Sequence, residues 1–340
     1  MAFKEYADYD GLGLAQLIAK KKVKPSELVE EAIARAERLN PKLNAIVFKD
    51  YDRARTDAKK KSKGIFAGIP FLLKDIAAIA EGMPTRQGSR FFPPIPGDHD
   101  QILVARYRAA GLIPLGKTNV PEFGLVPTTE SKLYGPAHNP WNPAHTPGGS
   151  SGGSGAAVAA GIVPLAHAND GGGSIRIPAA CCGLVGLKPT RARMTYGPDA
   201  GEGLDGLASD HVVSRSVRDT AAALDATQGG IAGDPYWAPP PEKSYLDAMK
   251  RKPKKLRIAF SAKRLDGRPQ HPDCLAAVKA AAKLCEKLGH EVEEASPALD
   301  SAVLMPLFMY LWGGGLAAGI DMISKLTGQE PTRQLLEGLT

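Results

Sequence analysis

The sequence has 340 residues and a formal net charge of +7, and 43% of its residues are apolar. That length allows one large or two moderate domains, and the composition is ordinary for a soluble globular protein with a sizeable core. The positive excess lies in lysine runs such as Lys59–Lys61 that have no interleaved aromatic residues, which argues against a nucleic-acid partner.

The cysteines and the N-terminal residues indicate in which cellular compartment the protein works. The four cysteines include the neighbours Cys181 and Cys182 but no C-x-x-C motif, which is typical of buried thiols in a reducing environment. The N-terminus has neither the basic lead nor the apolar core of a signal peptide. We therefore expect a cytoplasmic protein.

One uncharged stretch, Ala302–Ile320, is long enough to span a bilayer. Pro306 and Gly313–Gly315 would break a spanning helix. The sequence therefore favours a buried helix and loop in a soluble core, with no membrane partner, and membrane association is the alternative.

Apolar periodicity predicts helices alternating with strands along the chain. The predicted helices are two within 11–40 (the second opened by Pro25 and closed by Asn40–Pro41), then 51–62, 101–110, 154–160, a start at Ser174, 217–227 and 274–288. The predicted strands cover 45–48, 68–75, 112–115, 162–166, 184–187, 256–260 and 290–292. Such alternation indicates an α/β fold with a mostly parallel or mixed sheet.

The strand pattern Gly68–Asp75 ends in a charge pair. Lys74 could snorkel to the surface, as lysines at the ends of apolar runs do. Alternatively, it could be desolvated, which would lower its pKa and let it act as a base. The run alone leaves both interpretations open.

Two glycine-serine clusters, Gly148–Gly153 and Gly171–Ser174, flank a compact apolar segment. Glycine lets backbone N–H groups approach a ligand closely, and a serine among such groups can attack a carbonyl while they stabilise the oxyanion. This pattern predicts a serine-dependent amide hydrolase with an upstream lysine as base. A glycine-rich turn that caps a helix at Ser174 would have the same sequence.

Other motifs fit their context poorly. Gly111–Thr118 matches the phosphate-loop string, but a helix precedes it and its middle residues read as a strand. Gly149–Gly153 matches a nucleophile elbow, but a loop precedes it. A Ser-His-Asp triad could be drawn from His145 or His167 with Asp170, although a structural histidine is commoner.

Taken together, these segments resemble the amidase signature family. The resemblance rests on Gly68–Pro70, Lys74–Asp75, Gly116–Asn119 with Glu122, Gly148–Gly153, Asp170–Arg176 and Gly186–Thr190. It implies an α/β amidase-signature fold with a central mixed β-sheet flanked by helices. We expect an N-terminal helical region over 1–67, a catalytic core over 68–230 and a continuation of the same domain over 231–340. Asn139–Trp141 and Ala168–Asp170 most resemble the branch that hydrolyses 6-aminohexanoate cyclic dimers.

The resemblance also implies a Ser–cis-Ser–Lys triad, in which Ser174 is the nucleophile, Ser150 the bridging serine and Lys74 the base. Backbone N–H groups around Gly171, Gly172, Gly173 and Ser174 would form the oxyanion hole. Support would come from Ser151, Asp170 and Arg176. The implied reaction is hydrolysis of a small-molecule carboxamide through an acyl-enzyme, without a metal or organic cofactor.

Two departures from the family pattern stand out. Gly171 occupies a position where the family usually has Thr or Ser. Family members also continue well past residue 340, and Leu335–Thr340 carries no helix cap, which suggests a domain incomplete at its C-terminus. The alternative functions are therefore a non-catalytic or amidotransferase-type subunit and, from Gly116–Thr118, a nucleotide-binding protein. The sequence leaves open whether the chain forms a homo-oligomer.

Overall fold

The computed structural model describes residues 3–340. Its helices are α1 (Gly11–Ala19), α2 (Pro25–Leu43), α3 (Tyr51–Asp57), α4 (Ile102–Ala109), α5 (Gly152–Ala159), α6 (Arg176–Cys182), α7 (Val217–Thr227), α8 (Tyr245–Met249), α9 (Pro272–Lys287) and α10 (Ser301–Thr327). Its strands are β1 (Ile46–Lys49), β2 (Ile69–Lys74), β3 (Leu112–Thr118), β4 (Glu130–Ser131), β5 (Gly135–Pro136), β6 (Leu165–Asp170), β7 (Val185–Gly186), β8 (Ser209–Ser214), β9 (Arg257–Phe260) and β10 (Glu291–Glu294).

Local sequence explains where helix α2 begins and which of its residues are buried. Pro25 occupies its first turn, and the apolar residues that follow at helical spacing are buried. The predicted closure at Asn40–Pro41 is wrong, because the helix continues to Leu43 and ends at Asn44, which adopts a left-handed conformation with φ 46°. A proline in the last turn removes only one backbone hydrogen bond, so the helix tolerates it there.

Two three-stranded sheets hold the core. In the first, of order β1-β3-β2, β3 runs antiparallel to β1 and parallel to β2, so the predicted mixed sheet is present. In the second, of order β6-β8-β7, all pairs are antiparallel. Strand β2 contacts β6. The carboxyl end of β2 therefore lies beside the polar half of β6.

The register of β2 and β3 separates two buried lysines. Leu73 pairs with Lys117, and Lys74 pairs with Thr118. Paired residues share a face of the sheet and successive residues alternate between faces, so Lys74 and Lys117 point to opposite faces. Both side chains are fully buried.

The chain divides into two compact units. One extends to Ala248 and includes Ala318–Thr340, and the other is Met249–Ala317. The smaller unit contains the parallel pair β9–β10 and α9, whose only buried residue is Ala282. The division at residues 67 and 230 that the sequence suggests stays a prediction.

Helix α10 corrects the expectation of a buried helix and loop over Ala302–Ile320. The segment lies in one helix, with Pro306 and three consecutive glycines inside it, and most of its large apolar side chains are exposed. A stretch without charges has no polar face, so its sequence gives no information about which side is covered. By length and composition, α10 is the one helix in residues 3–340 that could cross a membrane.

Candidate active site

Lys74 lies at the carboxyl end of β2 and is fully buried, so the surface interpretation of this lysine is wrong. Its Nζ lies 2.7 Å from Ser150 Oγ and 2.5 Å from Asn169 Oδ1. Burial lowers the pKa of Lys74 from 10.5 to about 7, although the charges of Asp210 and Asp170 oppose the shift. A large share of this amine is therefore uncharged near neutral pH.

Ser150 reaches Lys74 from a tightly packed turn. The Gly149–Ser150 peptide bond is cis. A Cβ at Gly149 would lie 2.2 Å from the carbonyl oxygen of Thr128, so only glycine fits there. On the other side, a Cβ at Gly124 would lie 3.1 Å from Ser150 Oγ. Glycine at both positions therefore leaves room for the Ser150 side chain and its contact with Lys74.

Asp170 organises the loop that precedes α6. Its carboxylate accepts the N–H of Gly173 at 2.7 Å and that of Ile175 at 3.2 Å. It also forms two bonds of 2.8 Å with the Arg176 guanidinium. Burial alone would raise the pKa of Asp170, but these bonds, chiefly those from Arg176, outweigh it and lower the pKa. The carboxylate therefore stays charged and holds the loop in a defined shape.

That loop presents unused backbone donors. Within residues 3–340, the N–H groups of Gly171, Gly172 and Ser174 donate no hydrogen bond. Gly173 was also predicted among the oxyanion donors, but its N–H already donates to the Asp170 carboxylate. Its φ of +132° instead requires glycine at the bend.

Ser174 lies two residues before α6 and is 7% exposed. In the part of the chain that the structure describes, its hydroxyl forms no hydrogen bond, either to Ser150 or to another residue. The two serine segments are nevertheless adjacent, since a Cβ at Gly148 would lie 3.1 Å from Ile177 and from Pro178 of α6. The structure thus joins Lys74 to Ser150 and places Ser174 on the neighbouring segment.

The Amidase family model matches residues 27–335. The chain belongs to the amidase family. It is 38% identical over 334 residues to the 6-aminohexanoate-cyclic-dimer hydrolase of Pseudomonas sp. (strain NK87), covering 96% of this chain and 68% of that protein. It is also 37% identical over 318 residues to an acylamidase of Rhodococcus erythropolis, covering 91% of this chain and 66% of that protein.

Solved structures agree with this placement. A 6-aminohexanoate cyclic dimer hydrolase superposes with a TM-score of 0.93 at 38% identity, covering 97% of this chain and 69% of the other. A bacterial aryl acylamidase of the amidase signature family superposes with a TM-score of 0.86 at 28% identity, covering 94% and 68%. The predicted amidase-signature fold is confirmed, and this member of the family is an amide-hydrolysing enzyme.

The sequence patterns do not single out two residues of this site, Asn169 and Asp210. Asn169 belongs to a segment that resembles the family, and its side chain contacts Lys74 Nζ. His167 does not form the alternative triad with Asp170 and instead is a hydrogen-bonded structural histidine. Its Nδ1 accepts the backbone N–H of Lys74 at 3.2 Å, and its Nε2 lies 2.9 Å from Asp210 Oδ1. Asp210 lies in β8, a strand that the sequence pattern did not predict.

The remaining motifs of the sequence belong to structural elements. In the phosphate-loop string, Leu112–Thr118 form β3 and not a phosphate loop. Lys117 Nζ donates to the Ala78 carbonyl and, at 2.9 Å, to Thr85 Oγ1. Ser151 Oγ donates to the Asn169 carbonyl at 3.3 Å. Within residues 3–340, no group of three His, Cys, Asp or Glu side chains is arranged to hold a metal ion.

Proposed function

We propose that this amidase cleaves carboxamides through an acyl-enzyme, with Ser174 as nucleophile, Ser150 as bridging hydroxyl and Lys74 as base. One observation carries the proposal: a fully buried lysine, its pKa lowered to about 7, contacts the Ser150 hydroxyl at 2.7 Å. A serine hydroxyl needs a base to become nucleophilic, and an uncharged amine can be that base.

In the first half-reaction, uncharged Lys74 donates one N–H to Asn169 Oδ1, and this bond turns the nitrogen lone pair toward Ser150. As Ser174 Oγ bonds to the substrate carbonyl carbon, its proton passes to Ser150 Oγ, and the Ser150 proton passes to Lys74 Nζ. The relay leaves an ammonium at Lys74 and a tetrahedral oxyanion on the substrate.

The oxyanion would receive hydrogen bonds from the unused N–H groups of Gly171, Gly172 and Ser174. Each well-aimed donor of this kind contributes a few kcal/mol to the transition state. When the intermediate collapses, the C–N bond breaks, and the Lys74 proton returns through Ser150 to the leaving nitrogen. Water then attacks the acyl-serine by the same relay, releasing the acid and restoring Ser174.

The relay needs a hydrogen bond between the Ser150 and Ser174 hydroxyls, and within residues 3–340 the Ser174 hydroxyl forms no hydrogen bond. Catalytic hydrogen bonds commonly tighten when substrate binds. We therefore place formation of this contact at substrate binding.

The relatives guide the choice of substrate. Proteins similar to this chain are named for a cyclic 6-aminohexanoate dimer and for acyl and aryl acyl amides. We propose that this amidase acts on small cyclic or linear amides. We also propose that it works in the cytoplasm, without a nucleic-acid or membrane partner. Light scattering would measure whether it forms a homo-oligomer.

The test is turnover on a panel of cyclic, aliphatic and aryl amides, run beside labelling with a serine-directed fluorophosphonate. Ser174→Ala should lose both turnover and label. The control Ser296→Ala, at an exposed serine of the smaller unit, should keep both. Label retained in Ser174→Ala would remove Ser174 as the nucleophile. Absence of turnover and label in the unaltered chain would favour the non-catalytic subunit.

A further inference from the structure

A buried acid-histidine pair lies behind the proposed base, and the relay described above does not use it. His167 is fully buried and Asp210 is 2% exposed. In the antiparallel pairing of β6 with β8, Asp210 lies directly opposite Asn169, the residue whose side chain binds Lys74 Nζ. Directly opposed residues share one face of a sheet, so the Asp210 side chain lies on the same face as that of Asn169.

The hydrogen bonds define the charge of this pair. His167 Nδ1 accepts the backbone N–H of Lys74, so the ring proton must be on Nε2, which donates to Asp210 Oδ1 at 2.9 Å. Burial lowers the pKa of His167, and the imidazole is therefore neutral. Asp210 is left as a buried negative charge whose hydrogen-bonded partner carries no positive charge.

Neighbouring groups respond to that negative charge. Burial and then the Asp210 charge raise the pKa of Tyr107 and of Tyr196 well above the ordinary value. Tyr107 also packs edge-on against His167, with ring centroids 5.9 Å apart. Both phenols therefore stay neutral, and neither compensates Asp210.

The other charged side chains around this site are hydrogen-bonded to residues other than Lys74. The charge of Asp170 also raises the pKa of Lys74, but its carboxylate is already paired with the Arg176 guanidinium. Asp75 follows Lys74 just past the end of β2, and its carboxylate accepts the Tyr134 hydroxyl and the backbone N–H of Arg86. Lys117, on the other face of the sheet, donates to the Ala78 carbonyl and to the Thr85 hydroxyl.

We propose that Asp210 is the fixed counter-charge of Lys74, held in place by neutral His167. This inference rests on the proposed function. When Lys74 takes the serine proton, an ammonium forms in a site without water contact, which is costly for an isolated charge. With Asp210 nearby, the protonated site is neutral as a whole. Asp210 is thus a positioning residue that acts through Lys74 and does not touch the substrate.

The test is the second-order rate of fluorophosphonate labelling as a function of pH. In the wild-type chain the rate should rise with a midpoint near the Lys74 pKa of about 7. Asp210→Asn removes the negative charge and keeps the side-chain shape. Because the ammonium loses stabilisation, Lys74 should lose its proton at lower pH, and the midpoint should fall by roughly one pH unit. The plateau rate should also fall, because the amine is a weaker base.

Two variants serve as controls. Asp219→Asn removes another buried carboxylate, one that binds the N–H groups of Gly11 and Leu12, and it should leave the midpoint unchanged. His167→Gln offers an acceptor to Lys74 N–H and a donor to Asp210, and it should also keep the wild-type midpoint. If Asp210→Asn does not fold, Asp210→Thr, whose neutral β-branched side chain suits a strand, should show the same shift.

A folded Asp210 variant whose midpoint equals that of the wild type would overturn the inference, even if its rate were uniformly lower. That outcome would assign Asp210 a purely structural role. Failure of the proposed function would give another result: Lys74→Met would react with the fluorophosphonate as fast as the wild type.

Discussion

Two buried lysines on neighbouring strands of one sheet have different surroundings. On one face, Lys74 contacts the Ser150 hydroxyl and the Asn169 amide oxygen. On the other face, Lys117 contacts the Ala78 carbonyl and the Thr85 hydroxyl. Burial lowers the pKa of both, to about 7 for Lys74 and about 8 for Lys117. Desolvation alone therefore does not distinguish a base from a structural lysine.

The types of partner do not distinguish them either, since each lysine contacts one oxygen that can only accept and one hydroxyl that can accept and donate. The positions of the two hydroxyls do distinguish them. Ser150 lies beside the segment that carries Ser174, whereas Thr85 belongs to a loop that Lys117 holds against the sheet. We therefore assign chemistry to the face of Lys74 and stability to the face of Lys117.

The same substitution at both positions tests this difference. Lys74→Met should lower kcat/KM by about 10²–10⁴-fold, because a general base in this role contributes that much. Steady-state kinetics on an amide that the wild-type chain hydrolyses measures the loss. Since methionine fills most of the lysine volume, circular dichroism should show a folded chain. A fall smaller than this range would count against Lys74 as the base.

Lys117→Met should mainly affect stability. It leaves the Ala78 carbonyl and the Thr85 hydroxyl without their donor, and an unsatisfied buried group costs about 1–3 kcal/mol. Urea denaturation should therefore show a lower free energy of unfolding, whereas kcat/KM per folded molecule should change much less than in Lys74→Met. A loss of activity equal to that of Lys74→Met, without loss of stability, would erase the distinction between the two faces.

Much of this site was accessible from sequence because its parts are short motifs with defined chemistry. The two glycine-serine clusters and the lysine that ends an apolar run predicted which residues to examine, and Lys74 and Ser150 do meet. The sequence could not show whether Lys74 is exposed or buried. Burial depends on how β2 packs against β6, and that contact joins residues far apart in the chain.

The misses come from polar residues inside the core. Strand β6 was predicted at 162–166, but it runs to Asp170 and includes His167 and Asn169. Strand β8 was missed because four of its six residues are Ser, Asp or His, although all six are buried. Alternating apolar patterns identify strands whose buried side chains are apolar, so strands that bury polar site residues escape them.

The proposed mechanism depends most on an uncharged Lys74 that acts on Ser174 through Ser150. The most direct measurement is the rate of fluorophosphonate labelling at Ser174 between pH 5 and 9, in the wild-type chain and in Lys74→Met. Lys74 is uncharged only above its pKa, so the wild-type rate should rise as pH passes about 7. In Lys74→Met the rate should be low and lack that rise. A Lys74→Met chain that labels at the wild-type rate, with the same dependence on pH, would contradict the account.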